Sequence, residues 1–411
     1  MTRKYVWDPS YREPRWEQIT TEFIPVAIAL VLNRAFGNRA TFDITLVGFV
    51  HALIFMLAFI RLLWVTRTLA RHRIVWAAML LVLTDVGYVA YWNSLYTEPA
   101  SCLFFLFLLA ESIALCTSNR VTPGAVLRWS LFAILWIMAK TQNAVFCVPL
   151  GVYGLSLALR ALDARARWAA VVCAVAILSA GMVMYRCLLP APRMVNLYNM
   201  IFFAVLPESG DPSGDLKALG LDPSYVRYSG TLAWSPGTGV ADGSVVNAIQ
   251  ANVTPGTLVK FYLKRPARLW KHVRAVLSVA LLLRPEFCGN FEKSAGRPPG
   301  ARSEAVALWS HFHERSLAPI GRYLLLAIVL APLAGGALLF KRSLAPAFRR
   351  WTEVAIGLSL CCSMAFFAAA FGDAWDIVKH QFIFNLLLDA CLVFGLVASL
   401  NALSRIRATL R

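Results

Sequence analysis

The chain has 411 residues, of which 59% are hydrophobic and only 15% charged, with a mean hydropathy of +0.62. A soluble domain carries about 25% charged residues, so composition excludes a purely soluble protein and predicts an all-α polytopic membrane protein. The net charge of +18 sits mostly in short loops between apolar runs, and no basic–aromatic array accompanies it, which excludes nucleic acid as the expected partner.

In chain order, residues 1–43 come first as a polar head with Arg3, Lys4, Arg12 and Arg15, so no cleavable signal peptide is expected. The head also holds Asp8, Glu13 and Glu17. An apolar stretch, 21–37, follows. It is open to three readings: a short first span, an amphipathic helix lying in the membrane interface, or the sign of a chain that lacks a first helix its relatives possess.

Against a hydrocarbon core of about 30 Å, nine apolar runs read as spans: 44–65, 74–92, 99–116, 127–140, 143–159, 168–189, 319–340, 351–371 and 381–403. The fourth and fifth are short and resemble a helical hairpin turning at Lys140-Thr-Gln-Asn143. The domain reading is therefore an N-terminal segment (1–43), a first bundle part (44–189), a polar insertion (190–318), and a last part with three spans and a tail (319–411). Inside the insertion, 257–283 reads as one helix, with Lys260, Lys264, Arg265, Arg268, Lys271 and Arg274 interleaved with aromatics. That pattern suits an anionic membrane surface or a phosphate headgroup, and equally a solvated basic face. Residues 284–304 read as a loop over the site.

Orientation follows from arginine. Arg67, Arg71 and Arg73, then Arg120 and Arg128, Arg160 to Arg167, Lys341 to Arg350, and the tail load one set of loops. The alternate short loops, 93–98 and 372–380, hold a single Lys379. The Arg-rich loops and C-terminus are expected in the cytoplasm, and the insertion on the opposite face. Arg/Ala-rich loops point to a bacterial inner membrane.

Polar groups then converge on the outer face. Asn93, Tyr96 and Glu98 lie between the second and third spans; Lys140, Gln142 and Asn143 at the hairpin; Asp373, Asp376, Lys379 and His380 before the last span. A carboxylate at a bilayer boundary costs free energy unless paired or used. Carboxylates beside Lys and His suit transfer from a phosphorylated lipid: a carboxylate takes the acceptor's proton while cations stabilise the leaving phosphate. The plainer readings are that Glu98 caps its helix, that Lys140 snorkels to the interface, and that Asp376 and His380 pair on a helix surface. Asp85 and Arg186 are expected to satisfy partners inside the bundle. His311, His313 and Glu314 form a weak metal pattern, and Asn252-Val-Thr254 is a glycosylation sequon by pattern. Most of the nine cysteines lie in apolar runs as small hydrophobes, so no disulfide framework or zinc site is expected.

These motifs resemble the GT-C superfamily of integral-membrane glycosyltransferases. An N-S-x-Y-T-E-P stretch, Asn93 to Pro99, is similar to the Tyr-Ser/Thr-Glu signature of the mannosyltransferases of GPI-anchor synthesis. Lys140-Thr-Gln142 resembles the Lys-Pro-Gln turn of bacterial members, and a D-x-x-K-H element, Asp376 to His380, precedes the last span. The resemblance covers most of the chain in architecture and about twenty residues in motif. It implies inverting transfer of a sugar from a polyprenyl-phosphate donor to a glycan, lipid or protein acceptor on the periplasmic face. It also implies an acidic base in the first outer loop, matched here by the segment from Asp8 to Glu17. The resemblance makes Asp8 the first candidate base and Glu17 the fallback; no span precedes that segment in the sequence, a departure from the family layout that reads either as a start truncated relative to the family or as a failed match at this element. Glu98 would orient the acceptor or assist, while Lys140, Lys379 and His380 would hold the donor phosphate, with Asn93, Tyr96, Gln142 and Asp376 binding around it. No cofactor is expected, and no feature of the sequence supports a divalent cation. The rival readings are a transporter or flippase of lipid-linked sugars and an inactive scaffold subunit.

Overall fold

A computed structural model describes residues 4–6, 20–37, 39–69, 71–186, 190–341 and 343–409. The first helices are α1 (Phe23–Phe36), α2 (Thr45–Thr66), α3 (His72–Leu83), α4 (Val86–Val89), α5 (Glu98–Thr117), α6 (Pro123–Ile137), α7 (Cys147–Arg160) and α8 (Ala164–Arg186). The insertion carries α9 (Pro190–Tyr198), α10 (Pro212–Ala218), α11 (Gly243–Asn252), α12 (Pro255–Leu263) and α13 (Pro266–Ala280). The chain then returns through α14 (Leu308–Phe312), α15 (Gly321–Leu339), α16 (Pro346–Ala370), α17 (Ile377–His380) and α18 (Phe382–Thr409). Strands Lys4–Val6 and Thr41–Asp43 form a small antiparallel pair that brackets α1.

Among the described residues, seven helices are long and apolar enough to cross a membrane: Thr45–Thr66, Glu98–Thr117, Thr141–Arg160, Ala164–Arg186, Leu308–Leu339, Pro346–Ala370 and Phe382–Leu400. The protein is an all-α polytopic membrane protein. Two of the nine runs read as spans form shorter helices, α3 and α6, and α1 is a third short apolar helix. Helix α5 lies at the centre, packed by α2, α6, α16 and α18. It is buried on every side from Glu98 to Leu106, which is why its sequence is apolar all round rather than striped.

Two expected continuous helices are broken, one by a side chain that takes over backbone hydrogen bonds and one by a proline. The run 74–92 is not one helix: it breaks after Leu83 because Asp85 caps α4, accepting from the Gly87 N–H at 2.8 Å. Its other oxygen accepts from the N–H groups of Trp309 and Ser310 at 2.8 and 3.0 Å, so one carboxylate starts α14 as well. The stretch 257–283 is likewise two helices. Pro266 has no N–H and disfavours helical backbone in the residue before it, so α12 ends and α13 begins there. Thr254 of the sequon closes a capping box with Thr257 at the start of α12.

The two ends of the bundle differ in charge. At about 1.5 Å per residue, α5 runs roughly 30 Å from Glu98 to Thr117. Toward its C-terminal end, Glu111 meets Arg61 at 2.7 Å and Arg128 at 3.3 Å, Glu353 meets Arg160 at 3.3 Å, and Arg350 donates to the Cys116 carbonyl at 2.8 Å. The insertion closes the other end, the one that holds Glu98. There His272 of α13 lies 2.7 Å from the Ala370 carbonyl that ends α16.

Candidate functional site

Glu98 opens α5, with Pro99 in the first helical turn, where its missing N–H costs nothing. The carboxylate is buried, and Lys140 Nζ donates to its Oε1 at 2.7 Å. Lys140 is brought there by the turn between α6 and α7. Its extended backbone precedes a 3-10 helix over Thr141–Phe146. Asn143, fully buried, locks that turn by donating to Ser101 Oγ at 3.1 Å and to the Trp136 carbonyl at 2.8 Å. Gln142 reaches the other way, donating to the His380 carbonyl at 3.1 Å and the Ala365 carbonyl at 3.4 Å. The expected hairpin therefore touches both the Glu98 segment and the segment before α18.

The third segment folds tightly. Asp376 adopts left-handed backbone at φ 57° to start α17, a conformation that Asp tolerates better than most residues. Its Oδ2 accepts from Lys379 Nζ at 2.7 Å. Asp376 thus pairs with Lys379, not with His380 as a helix-surface pair would require. Lys379 Nζ also stands 5.1 Å over the Tyr96 ring and 6.0 Å from that of Phe287. Burial acts to lower the Lys379 pKa, but the hydrogen bond and charge of Asp376, together with the charge of Glu98, outweigh it and leave the ammonium above its ordinary value. Burial has the opposite sign on an acid and raises the Tyr96 phenol. His380 Nε2 lies 3.6 Å from Asp373 Oδ2. Asp373 Oδ1 accepts from Asn199 Nδ2 at 3.1 Å and from the Trp375 N–H at 3.0 Å.

Asp373, Asp376, Lys379 and His380 line an open pocket of about 570 Å³ together with Asn196, Val195, Trp234 and Trp375. That volume falls within the roughly 300–1,000 Å³ typical of small-molecule sites. Glu98 and Lys140 do not line this pocket, but the charges of Lys379 and His380, which do, act on Glu98. The arrangement offers fixed cations for an anion, acids for a hydroxyl, and indole faces for an apolar surface.

Not every expected residue belongs to this cluster. Asn93 is exposed, and its side chain lies over Gly48 of α2, where an added Cβ would come within 1.8 Å of Asn93 Oδ1. Asp8, Glu13 and Glu17 lie outside the described residues. Arg186 is exposed at the end of α8 instead of paired inside the bundle. His313 is buried 2.7 Å from Asp389 Oδ1, whereas His311 is half-exposed near Glu304, so the two histidines do not converge. Asp389 also accepts from the Tyr88 hydroxyl at 2.6 Å and the Trp309 indole at 2.8 Å.

Three features escaped the sequence reading. Glu22, just before α1, is buried at the N-terminus of α5: it accepts from the Ala100 N–H at 3.1 Å, meets His51 Nε2 at 2.9 Å, and its charge repels that of Glu98. A Thr-Thr-Glu stretch before an apolar helix and a lone His inside the next span were the available signals. Asn199 and the Trp234–Trp375 pair carried none, because their partners lie far away in the chain. No curated protein and no solved structure matches the chain. The model of the YfdI N-terminal transmembrane domain matches residues 2–409, nearly every residue on which the fold and the pocket depend, and the chain therefore belongs to that family of membrane domains.

Proposed function

We propose that this protein is a GT-C-like glycosyltransferase of a bacterial inner membrane, working on the periplasmic side from a polyprenyl-phosphate sugar. The observation that carries the reading is the meeting of three distant segments at one end of the bundle. Glu98–Lys140, Gln142 and Asp376–Lys379–His380 join through contacts of 2.7 to 3.1 Å beside an open polar pocket. The arginine-rich loops ring the opposite end, which the positive-inside rule assigns to the cytoplasm.

In this reading Lys379 and His380 bind the donor phosphate, whose charge grows as the sugar leaves. The acceptor hydroxyl oxygen attacks the anomeric carbon from the face opposite the phosphate. The carbon–oxygen bond to phosphate breaks, and the hydroxyl proton passes to a carboxylate. That carboxylate is Asp8 or Glu17 of the N-terminal segment. Glu98, buried and paired, acts by holding Lys140 and the α5 terminus in place instead of taking the proton.

The test uses purified protein in proteoliposomes with a panel of polyprenyl-phosphate hexoses, reading release of polyprenyl phosphate and the glycan formed. Release with product supports the transferase, and Glu98→Gln is expected to slow it. Equal activity in that variant removes Glu98 from the mechanism. Movement of intact donor across the bilayer without release would replace the reading with that of a flippase.

A further inference from the structure

Two indoles stand exposed at the mouth of the pocket. Trp234, from the insertion, and Trp375, from the loop before α17, are 54% and 43% exposed, yet both line a polar cavity with Asp376, Lys379 and His380. Their ring centroids lie 5.8 Å apart at 72°, forming a corner. The corner is braced from behind. Phe203 packs edge-on against Trp375 with centroids 5.9 Å apart. Fully buried Asn199 ties the two loops together: its Oδ1 accepts from the N–H of Ala233, beside Trp234, at 2.9 Å, and its Nδ2 donates to Asp373 at 3.1 Å. Asp373 in turn accepts from the Trp375 N–H. Asn199 opens a π-helical turn, Asn199–Val205, a distortion found often at functional sites.

Holding two large apolar faces in a charged, open cavity is unfavourable unless a ligand covers them. The ligand must present an apolar face to the indoles and hydroxyls to the charged wall. A pyranose ring does both. Its axial C–H bonds carry partial positive charge that suits the negative face of an indole, and its hydroxyls reach Asp376 and Lys379.

We infer that the Trp234–Trp375 corner is a sugar-ring platform, with Asn199 as its positioning residue. The inference deepens the transferase reading and rests on it for the identity of the substrate, but sugar binding can be measured without transfer. Saturation-transfer NMR on the full chain in lipid nanodiscs, free of sugar-headed detergent, would use methyl β-glucopyranoside, methyl β-galactopyranoside and methyl α-mannopyranoside as probes. At least one is expected to receive saturation mainly on the protons of one ring face. Trp234→Ala and Trp375→Ala should each weaken binding about threefold to tenfold. Trp270→Ala, an exposed indole on α13 away from the pocket, should leave it unchanged. Trp375→Phe keeps an aromatic ring against Phe203 and should retain most of the signal, which separates loss of the platform from loss of folding. Silence from all three sugars, or signals unaffected by the pocket variants, would overturn the inference and leave the indoles as interfacial membrane anchors. Normal transfer by Trp234→Ala and Trp375→Ala would sink the platform and spare the transferase. One-faced binding that depends on both indoles, in a protein that never releases polyprenyl phosphate, would support the platform and sink the transferase.

Discussion

Burying Glu98 and Lys140 strips water from two charges, and their 2.7 Å contact offsets that cost only while both are present. Lys140→Met should therefore destabilise the protein by about 3–5 kcal/mol, because it leaves a buried carboxylate alone. The double variant Glu98→Gln/Lys140→Met should recover most of the loss, and thermal melting of the three proteins in nanodiscs checks the cycle. Asp376 makes a second demand on residue type, through its backbone at φ 57°. Asn tolerates that conformation, so Asp376→Asn should melt like the wild type while weakening the hold on Lys379. Asp376→Val should lose roughly 1–2 kcal/mol from the left-handed backbone alone. Equal melting of the two variants would remove strain from the account. These residues were legible in the sequence because each sits at a polar break between apolar runs. Asp389 was not: a single acid inside a run of Leu and Phe reads as part of a span, and its partners Tyr88, Trp309 and His313 lie in other elements.

At the scale of elements, hydropathy located the membrane segments but not where they break. The run 74–92 looks continuous by composition. Asp85 interrupts it because its oxygens satisfy backbone donors of both α4 and α14, a partnership across more than two hundred residues. Helix α13 docks by a similar device. His272 Nε2 donates to the carbonyl at the end of α16, and its ring stacks on Tyr262 with centroids 5.0 Å apart. Burial depresses the His272 pKa, against the opposing pull of the Ala370 carbonyl and the Glu208 charge. The unfolded chain thus binds this proton more readily than the folded one. The stability that neutral His272 contributes is complete above the unfolded value of about 6.5 and is lost as the pH falls toward the depressed folded value. Melting temperature should accordingly drop between pH 7.5 and 5, and His272→Gln should drop less over the same range. Parallel curves would show that another group controls the acid limb.

For the whole molecule, the division into an arginine-rich end and an end closed by the insertion was readable from loop charge alone. The meeting of the three motifs at the second end needed the fold, because Lys140 reaches Glu98 only through the turn that Asn143 locks. The proposed sidedness is tested with an impermeant maleimide in a cysteine-free background. Ser294→Cys, in an exposed stretch of the insertion, should label in spheroplasts; Ser118→Cys, exposed between α5 and α6, should label only after permeabilisation. The reverse pattern would invert the protein in the membrane.

The most direct measurement compares wild type and Lys379→Met for release of polyprenyl phosphate in proteoliposomes. Lys379 lines the pocket and is held by Asp376 at 2.7 Å; in the proposed transfer its removal would take one of two counter-charges from the departing phosphate. Loss of a preorganised electrostatic partner typically costs about a hundredfold or more in rate, and that loss, measured at a temperature where the variant is fully folded, is the expected result. Undiminished release by a properly folded Lys379→Met protein would contradict the claim that these distant segments meet to serve one phosphate.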